Sequence, residues 1–179
     1  MQEEEALVRK TILLSAVVAA HIASPAAAGV VTSAAAQQEL LKSDDPKLAA
    51  NKKLVYDMYR EVLQAGRADL VTKYFTESYI QHNPNVASGR DSLAGYIKGS
   101  RPVREIESKI ALPMINIIAE REYVTIMFER PMTDAEGKPY VTTWFDMFRI
   151  ENGRIAEHWD PALKMKEMLS FDPNTTRPK

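Results

Sequence analysis

FDMFRIENGRIAEHWD, residues 145–160, reads as two extended runs joined by a tight turn. Asn152-Gly153 supplies two consecutive residues that tolerate positive φ, as a two-residue type I′ hairpin requires. Apolar, β-branched and aromatic residues on both sides make the stretch an antiparallel hairpin. Side chains alternate faces along a strand, so Ala156, His158 and Asp160 share one face of the second arm, opposite to Ile155, Glu157 and Trp159. On the first arm Thr142, Trp144, Asp146, Phe148 and Ile150 share a face. Counting back from Glu151 opposite Arg154 sets Asp146 opposite Trp159. Asp146 and Asp160 reach one pocket only if a single β-bulge shifts that register.

Two further runs of strand character precede the hairpin. Residues 107–118, 123–132, 140–150 and 154–160 are all rich in β-branched and aromatic side chains, and Asp134-Ala135-Glu136-Gly137 closes a longer hairpin loop. Before them the period is helical. Asp44-Asp45-Pro46 supplies a cap and a proline at the first helical position of a helix over 46–65, which Gly66 stops. A second helix is expected over 68–75, and a third over 92–98, opened by Gly89-Arg90-Asp91. Helices followed by a meander of four antiparallel strands give an α+β domain with helices on one face of a curved sheet.

The chain of 179 residues has room for one such domain, and 45% hydrophobic with 26% charged residues is ordinary for a globular protein. Its N-terminus reads as an export signal. Arg9 and Lys10 form the basic region, residues 11–20 the apolar region, and alanine-rich cleavage sites follow after Ala28 or Ala36. The apolar run is short of the ~20 residues that span a bilayer; the alternative is an alanine-rich helix. The expected organisation is signal and cleavage region 1–36, linker 37–45, domain 46–163 and tail 164–179, in an exported protein, periplasmic or secreted. Removing residues 1–36 takes two of 23 basic and three of 24 acidic residues, leaving 21 of each. A neutral mature domain has no bulk electrostatic reason to seek nucleic acid or an anionic membrane, so the expected partner is a small, largely apolar ligand, or none. The sequence holds no cysteine, which excludes thiol catalysis, thiolate metal sites and iron–sulfur chemistry.

His21 falls within the signal. The other two histidines, His82 and His158, sit in the clusters Tyr79-Ile80-Gln81-His82-Asn83-Pro84 and Glu157-His158-Trp159-Asp160-Pro161, among other proton-handling groups. Asp146 interrupts an otherwise apolar strand. It is an ion-pair partner of Arg130 or Arg149, an outward-facing residue, or a general acid/base set in a hydrophobic cleft.

Residues 145–160 resemble the terminal hairpin of SnoaL-like proteins, within the nuclear-transport-factor-2-like superfamily. Tyr79 to Pro84 with the following Gly89-Arg90 resembles the segment after that family's second helix. The resemblance spans about residues 46–163. It implies a cone-shaped α+β fold with a deep apolar pocket closed by the helices, and a homodimer formed through the sheet, with Trp159 or Trp144 as its aromatic. In the polyketide-cyclase members an aspartate on the last strand is the acid/base of an intramolecular aldol closure, with no metal or cofactor. That position falls on Asp160. The polar residue on the preceding strand, often histidine in the cyclases, falls on Asp146, which is a departure; the export signal is another.

The expected catalytic set is Asp160, His158, Asp146 and His82, and the expected substrate-binding wall is Tyr79, Asn83, Trp144 and Phe148. Asp160 would take a proton alpha to a carbonyl, and His158 or His82 would donate to the enolate oxygen. Aldol condensation, isomerisation and dehydration share that step. The alternative is a periplasmic binding module that keeps the pocket for a small apolar ligand, without turnover. His82, His158, Asp146 and Asp160 could also suit zinc or iron, but no HxH or HxxxH spacing supports a metal, and none is expected.

Overall fold

The computed structural model describes residues 29–166. The expected basic and apolar regions of the export signal lie outside the described residues, as does the tail beyond 166. Elements run in the order α1 (Ala34–Leu40), α2 (Pro46–Met58), a π-helical segment Tyr59–Gln64, a 3₁₀ turn Ala68–Leu70, α3 (Val71–Tyr74), β1 (Phe75–Gln81), α4 (Arg90–Ser100), β2 (Met114–Glu120), β3 (Tyr123–Thr133), β4 (Pro139–Glu151) and β5 (Arg154–Trp159). The five strands form one sheet in the order β1-β5-β4-β3-β2. Neighbours pair antiparallel except β1, which runs parallel to β5. This is the expected α+β architecture, with its helices against one face of the sheet.

Local signals set the helix starts. Asp45 Oδ1 accepts the backbone N–H of Lys47 at 2.7 Å and of Leu48 at 3.4 Å, and Pro46 opens α2. The end differs from the expected single helix over 46–65. After Met58 the bonds widen, and Ala65 N–H donates to Arg60 O five residues back at 3.0 Å. Gly66, at φ +68, then reverses the chain. The expected helix over 68–75 is broken into the 3₁₀ turn and the four-residue α3.

Three expectations are corrected. Residues 37–45, read as part of a linker, belong in part to α1, which is packed against the domain. Gln37 is fully buried, accepts from Tyr56 Oη at 2.8 Å and from Ile110 N–H at 2.9 Å, and donates to Ile110 O at 2.8 Å. A cut after Ala36 would fall within α1, whereas one after Ala28 leaves the Val31–Met114 bridge intact. The strand expected over 107–118 begins only at Met114. Its first part pairs with side chains in place of a strand: Gln37 takes Ile110, and Gln64 takes Lys109 O at 3.0 Å and Ala111 N–H at 2.8 Å. Finally, Phe75–Gln81 is a fifth strand, where the sequence suggested the end of a helix and no strand.

The core lies between the inner face of the sheet and the helices. Val124, Ile126, Phe128, Phe148, Ile150 and Ile155 from the strands meet Val55, Met58, Val62, Leu93 and Ile97 from the helices, all buried. Asn152 and Gly153, at φ +49 and +73, make the expected tight turn between β4 and β5. The pairing from Glu151–Arg154 to Ile150–Ile155 then shifts, and Arg149 faces Glu157, Phe148 faces His158 and Met147 faces Trp159. Ala156 is the unpaired extra residue of a β-bulge, and it is buried beside the equally buried Ile155.

Gly66 also lies against residues 101–104. A Cβ there would stand 2.5 Å from Pro102 O, and Arg104 N–H donates to Ala65 O at 2.8 Å. Gly66→Ala combines a left-handed backbone with a steric clash, so it should cost about 1–3 kcal/mol in urea unfolding. An unchanged midpoint would show that residues 101–104 do not press on this turn.

Candidate functional site

A cavity of about 970 Å³ opens between the helices and the inner face of β3, β4 and β5. Its walls include Met58, Tyr59, Leu63, Phe75, Leu93, Ile97 and Phe128's neighbour on β4, Trp144, with Phe148 below. The bulge at Ala156 carries His158 onto the same face as Phe148, and the alternation continues to Asp160 on one arm and Asp146 on the other. The register condition for a shared pocket is met. One potential ligand atom from each of Asp146, His158 and Asp160 lies within 4.8 Å of the others.

Asp146 is 4% exposed, and every neighbour that compensates its burial can be named. His158 Nε2 stands 2.9 Å from Oδ1, Trp144 Nε1–H donates to Oδ1 at 3.2 Å, and Tyr59 Oη donates to Oδ2 at 2.9 Å. The alternative ion pairs do not form. Arg149 turns to the outer face, and Arg130 stacks on the Trp144 ring with its guanidinium carbon 4.2 Å from the centroid. Burial raises the Tyr59 hydroxyl far above the usual tyrosine value; the Asp146 charge and hydrogen bond add to this, and Arg101 and Arg130 pull against it.

The hydrogen-bond partners of His158 call for a proton beside each ring nitrogen. The Asn83 backbone N–H can only donate, so the Gln81 side-chain atom 3.0 Å away is its carbonyl oxygen. His158 Nδ1 lies 2.9 Å from that same oxygen and therefore carries a proton. Gln81 Nε2 donates in turn to Tyr79 Oη at 3.0 Å. Nε2 of His158 faces a carboxylate oxygen that already accepts from Trp144, so a further proton lies between Nε2 and Oδ1. Phe148 stacks on the imidazole with centroids 4.7 Å apart. Asp160 is engaged on both oxygens: Oδ2 accepts from Asn83 Nδ2 at 2.7 Å and lies 3.9 Å from His158 Nε2, while Oδ1 accepts from Ala162 N–H at 3.0 Å.

The structure thus gathers Asp146, His158, Asp160, Asn83, Trp144 and Phe148 around one cavity. It leaves out His82 and Tyr79. β1 pairs Gln81 with His158, so Gln81 takes the inner position and its neighbour His82 goes to the outer face. There His82 stacks on Trp159 at 4.5 Å and meets Glu157 Oε2 at 2.9 Å. Tyr79 is buried behind Gln81 and does not line the cavity. Burial raises its hydroxyl well above the usual value, and the charges of Asp146 and Asp160 add to the effect. Trp144, expected as an interface aromatic, faces inward. Tyr59 and Gln81 were not legible as site residues: one sits in a helix of ordinary pattern, the other on a strand whose pattern was not recognised. Asp146, His158 and Asp160 are also the group that could hold a metal among the described residues, offering one nitrogen and two carboxylate oxygens. His82, counted in the sequence-derived set, is not among them.

The model of the SnoaL-like domain matches residues 55–158. No functionally curated protein matches the sequence. Similar solved structures include TsrD from Streptomyces laurentii, 20% identical over 66% of this chain and 90% of that one, TM-score 0.43. A nuclear-transport-factor-2-like protein of unknown function from Burkholderia pseudomallei is 16% identical over 69% and 97%, TM-score 0.46. An LEH-like epoxide hydrolase from M. tuberculosis is 16% identical over 62% of this chain and 80% of that one, TM-score 0.45.

The outer-face cluster makes a pH prediction. Burial raises the Glu157 carboxyl, but hydrogen bonds from His82 and Arg149 outweigh it and hold the group below the usual 4.5. A lowered carboxyl contributes stability above its unfolded value and loses it as pH falls through the folded one. Glu157→Gln should therefore cost about 1 kcal/mol at pH 7, discounted for partial exposure. The gap to the native protein should narrow in melting curves taken below pH 4.5; a gap that widens there reverses the assignment.

Proposed function

The chain belongs to the SnoaL-like domain family, and from that premise we propose that its cavity binds a small carbonyl compound and moves a proton on it. The observation that carries this reading is His158 Nε2 poised between two carboxylates, 2.9 Å from Asp146 and 3.9 Å from Asp160, in an apolar-walled cavity. Gln81 and Phe148 orient the ring, and Tyr59 and Trp144 hold Asp146 against it. Asp160 takes the proton from the carbon alpha to the carbonyl. The C–H electron pair moves into the new enolate, and the Nε2–H of His158 donates to the enolate oxygen. Returning the proton from Asp160 to another carbon gives isomerisation; attack of the enolate on a second carbonyl, whose oxygen takes that proton, gives aldol closure; expulsion of a β-hydroxyl, which leaves with that proton as water, gives dehydration. His82 has no part in this scheme.

One observation favours the second reading, a binding module without turnover. Both Asp160 oxygens are already held, by Asn83 and by the backbone of Ala162, as in a residue that fixes the chain end after β5. Asp160→Asn separates the two. Deuterium exchange at the α-carbon of small ketones, followed by NMR, should run faster with the native protein than in buffer and fall ~10²–10⁴-fold in the variant at unchanged ligand affinity. Exchange no faster than buffer, with ligands still raising the melting temperature, would leave the binding module.

We also propose that two copies pair through the outer face of the sheet. Ile118 and Phe145 stand exposed there, with Trp159 partly covered beside them. Light scattering of the native protein should give twice the chain mass, and Phe145→Glu should return it to the single-chain mass. A native protein that scatters as one chain at micromolar concentration overturns the pairing.

A further inference from the structure

Three arginines line the cavity: Arg101, Arg104 and Arg130. Arg60, Arg67 and Arg149 elsewhere in the domain each hold a carboxylate. No carboxylate of the described residues lies within ion-pair distance of the three at the cavity. The two acids that share the cavity with them, Asp146 and Asp160, are occupied by His158, Tyr59, Trp144 and Asn83.

These guanidinium groups are positioned, not merely present. The Arg130 guanidinium carbon stands over the Trp144 ring, 4.2 Å from its centroid, a contact that leaves its N–H groups available to a planar acceptor. The same indole donates to Asp146, so guanidinium, indole and carboxylate form one connected row from rim to floor. Arg101 is tied to Leu63 O at 2.8 Å, on the π-helical segment that also carries Tyr59. Arg104 follows on the segment anchored at the Gly66 turn. The charges of Arg101 and Arg130 reach the Tyr59 hydroxyl at the Asp146 end. Arg101 and Arg104 are exposed and Arg130 is half-buried, so the cationic end is the outer one.

We infer that the ligand is a small organic acid, its carboxylate held by Arg101 and Arg130 at the rim while its carbonyl reaches His158 and Asp160 at the floor. This rests on the cavity being a small-molecule site, but not on turnover, because acid preference is a property of binding. A neutral ligand would displace water from unpaired cations and return nothing to them; a carboxylate meets the planar fork with two parallel hydrogen bonds. The substrate class narrows from carbonyl compounds to oxo acids with an apolar body.

The test uses 4-oxo-4-phenylbutanoate and its primary amide, which share length, ring and ketone and differ only in charge. By isothermal titration the native protein should bind the acid at least about tenfold more tightly than the amide. That preference should shrink as salt is raised. The double variant Arg101→Gln/Arg130→Gln should bind both alike. Arg130→Lys, which keeps the charge and loses the fork, should fall between, guarding against a double variant that fails to fold. Asp160→Asn should keep the full acid preference, so loss of the proton-transfer reading and loss of this inference are separately visible. Equal affinity of the native protein for acid and amide, no binding of the acid, or a preference that survives in the double variant overturns it.

Discussion

Ala156 has no partner across the β4–β5 ladder, and the site depends on that one unpaired residue. Side chains change face at every step along a strand, so adding a single residue exchanges inside for outside for everything beyond it. Without the bulge, Asp146 would stand opposite Trp159, and His158 and Asp160 would lie on the face that Asp146 does not share. With it, Trp144, Asp146 and Phe148 on one strand meet His158 and Asp160 on the other. A buried carboxylate is costly unless donors meet it. Here three donors converge on Asp146, and one of them, His158, is delivered by the bulge. The register and the chemistry are the same constraint seen at two scales.

How much could be read in advance follows from the range of the interactions. The Asn152-Gly153 turn and the Asp45-Pro46 helix start are written within a few residues, and both stand as expected. The family resemblance carried the fold class further than local pattern could. What escaped notice depends on long-range side-chain bonds. Gln37 and Gln64 pair with the backbone of residues 109–111 as a neighbouring strand would, and so hold an apolar stretch out of the sheet. β1 carries too few apolar residues to show alternation, and a parallel edge strand has no hairpin turn to announce it. That omission had a consequence at the site: with β1 unrecognised, His82 stood out as the chemically active residue, and Gln81 beside it, the one that faces His158, did not.

The cavity is organised by charge more than by shape. Acidic and imidazole groups are gathered at the buried end and satisfied there, while cations without carboxylate partners stand toward solvent. Helical and strand elements contribute to both ends, so neither could be assembled from one continuous motif. The π-helical segment is the joint between them, since it supplies Tyr59 to the floor and the Leu63 carbonyl that steadies Arg101. Widened turns of this kind recur where a helix must serve a site.

The two tryptophans stand on opposite faces of the same sheet. Trp144 lies within the cavity, with a guanidinium on its ring and a carboxylate on its nitrogen, and Trp159 lies outside, stacked on an imidazole. Each indole is thus an optical probe with its own surroundings, one reporting on the interior and the other on whatever covers the exterior. Replacing either by phenylalanine leaves a single emitter, so filling of the cavity and burial of the outer face become two separable fluorescence signals from an unlabelled protein.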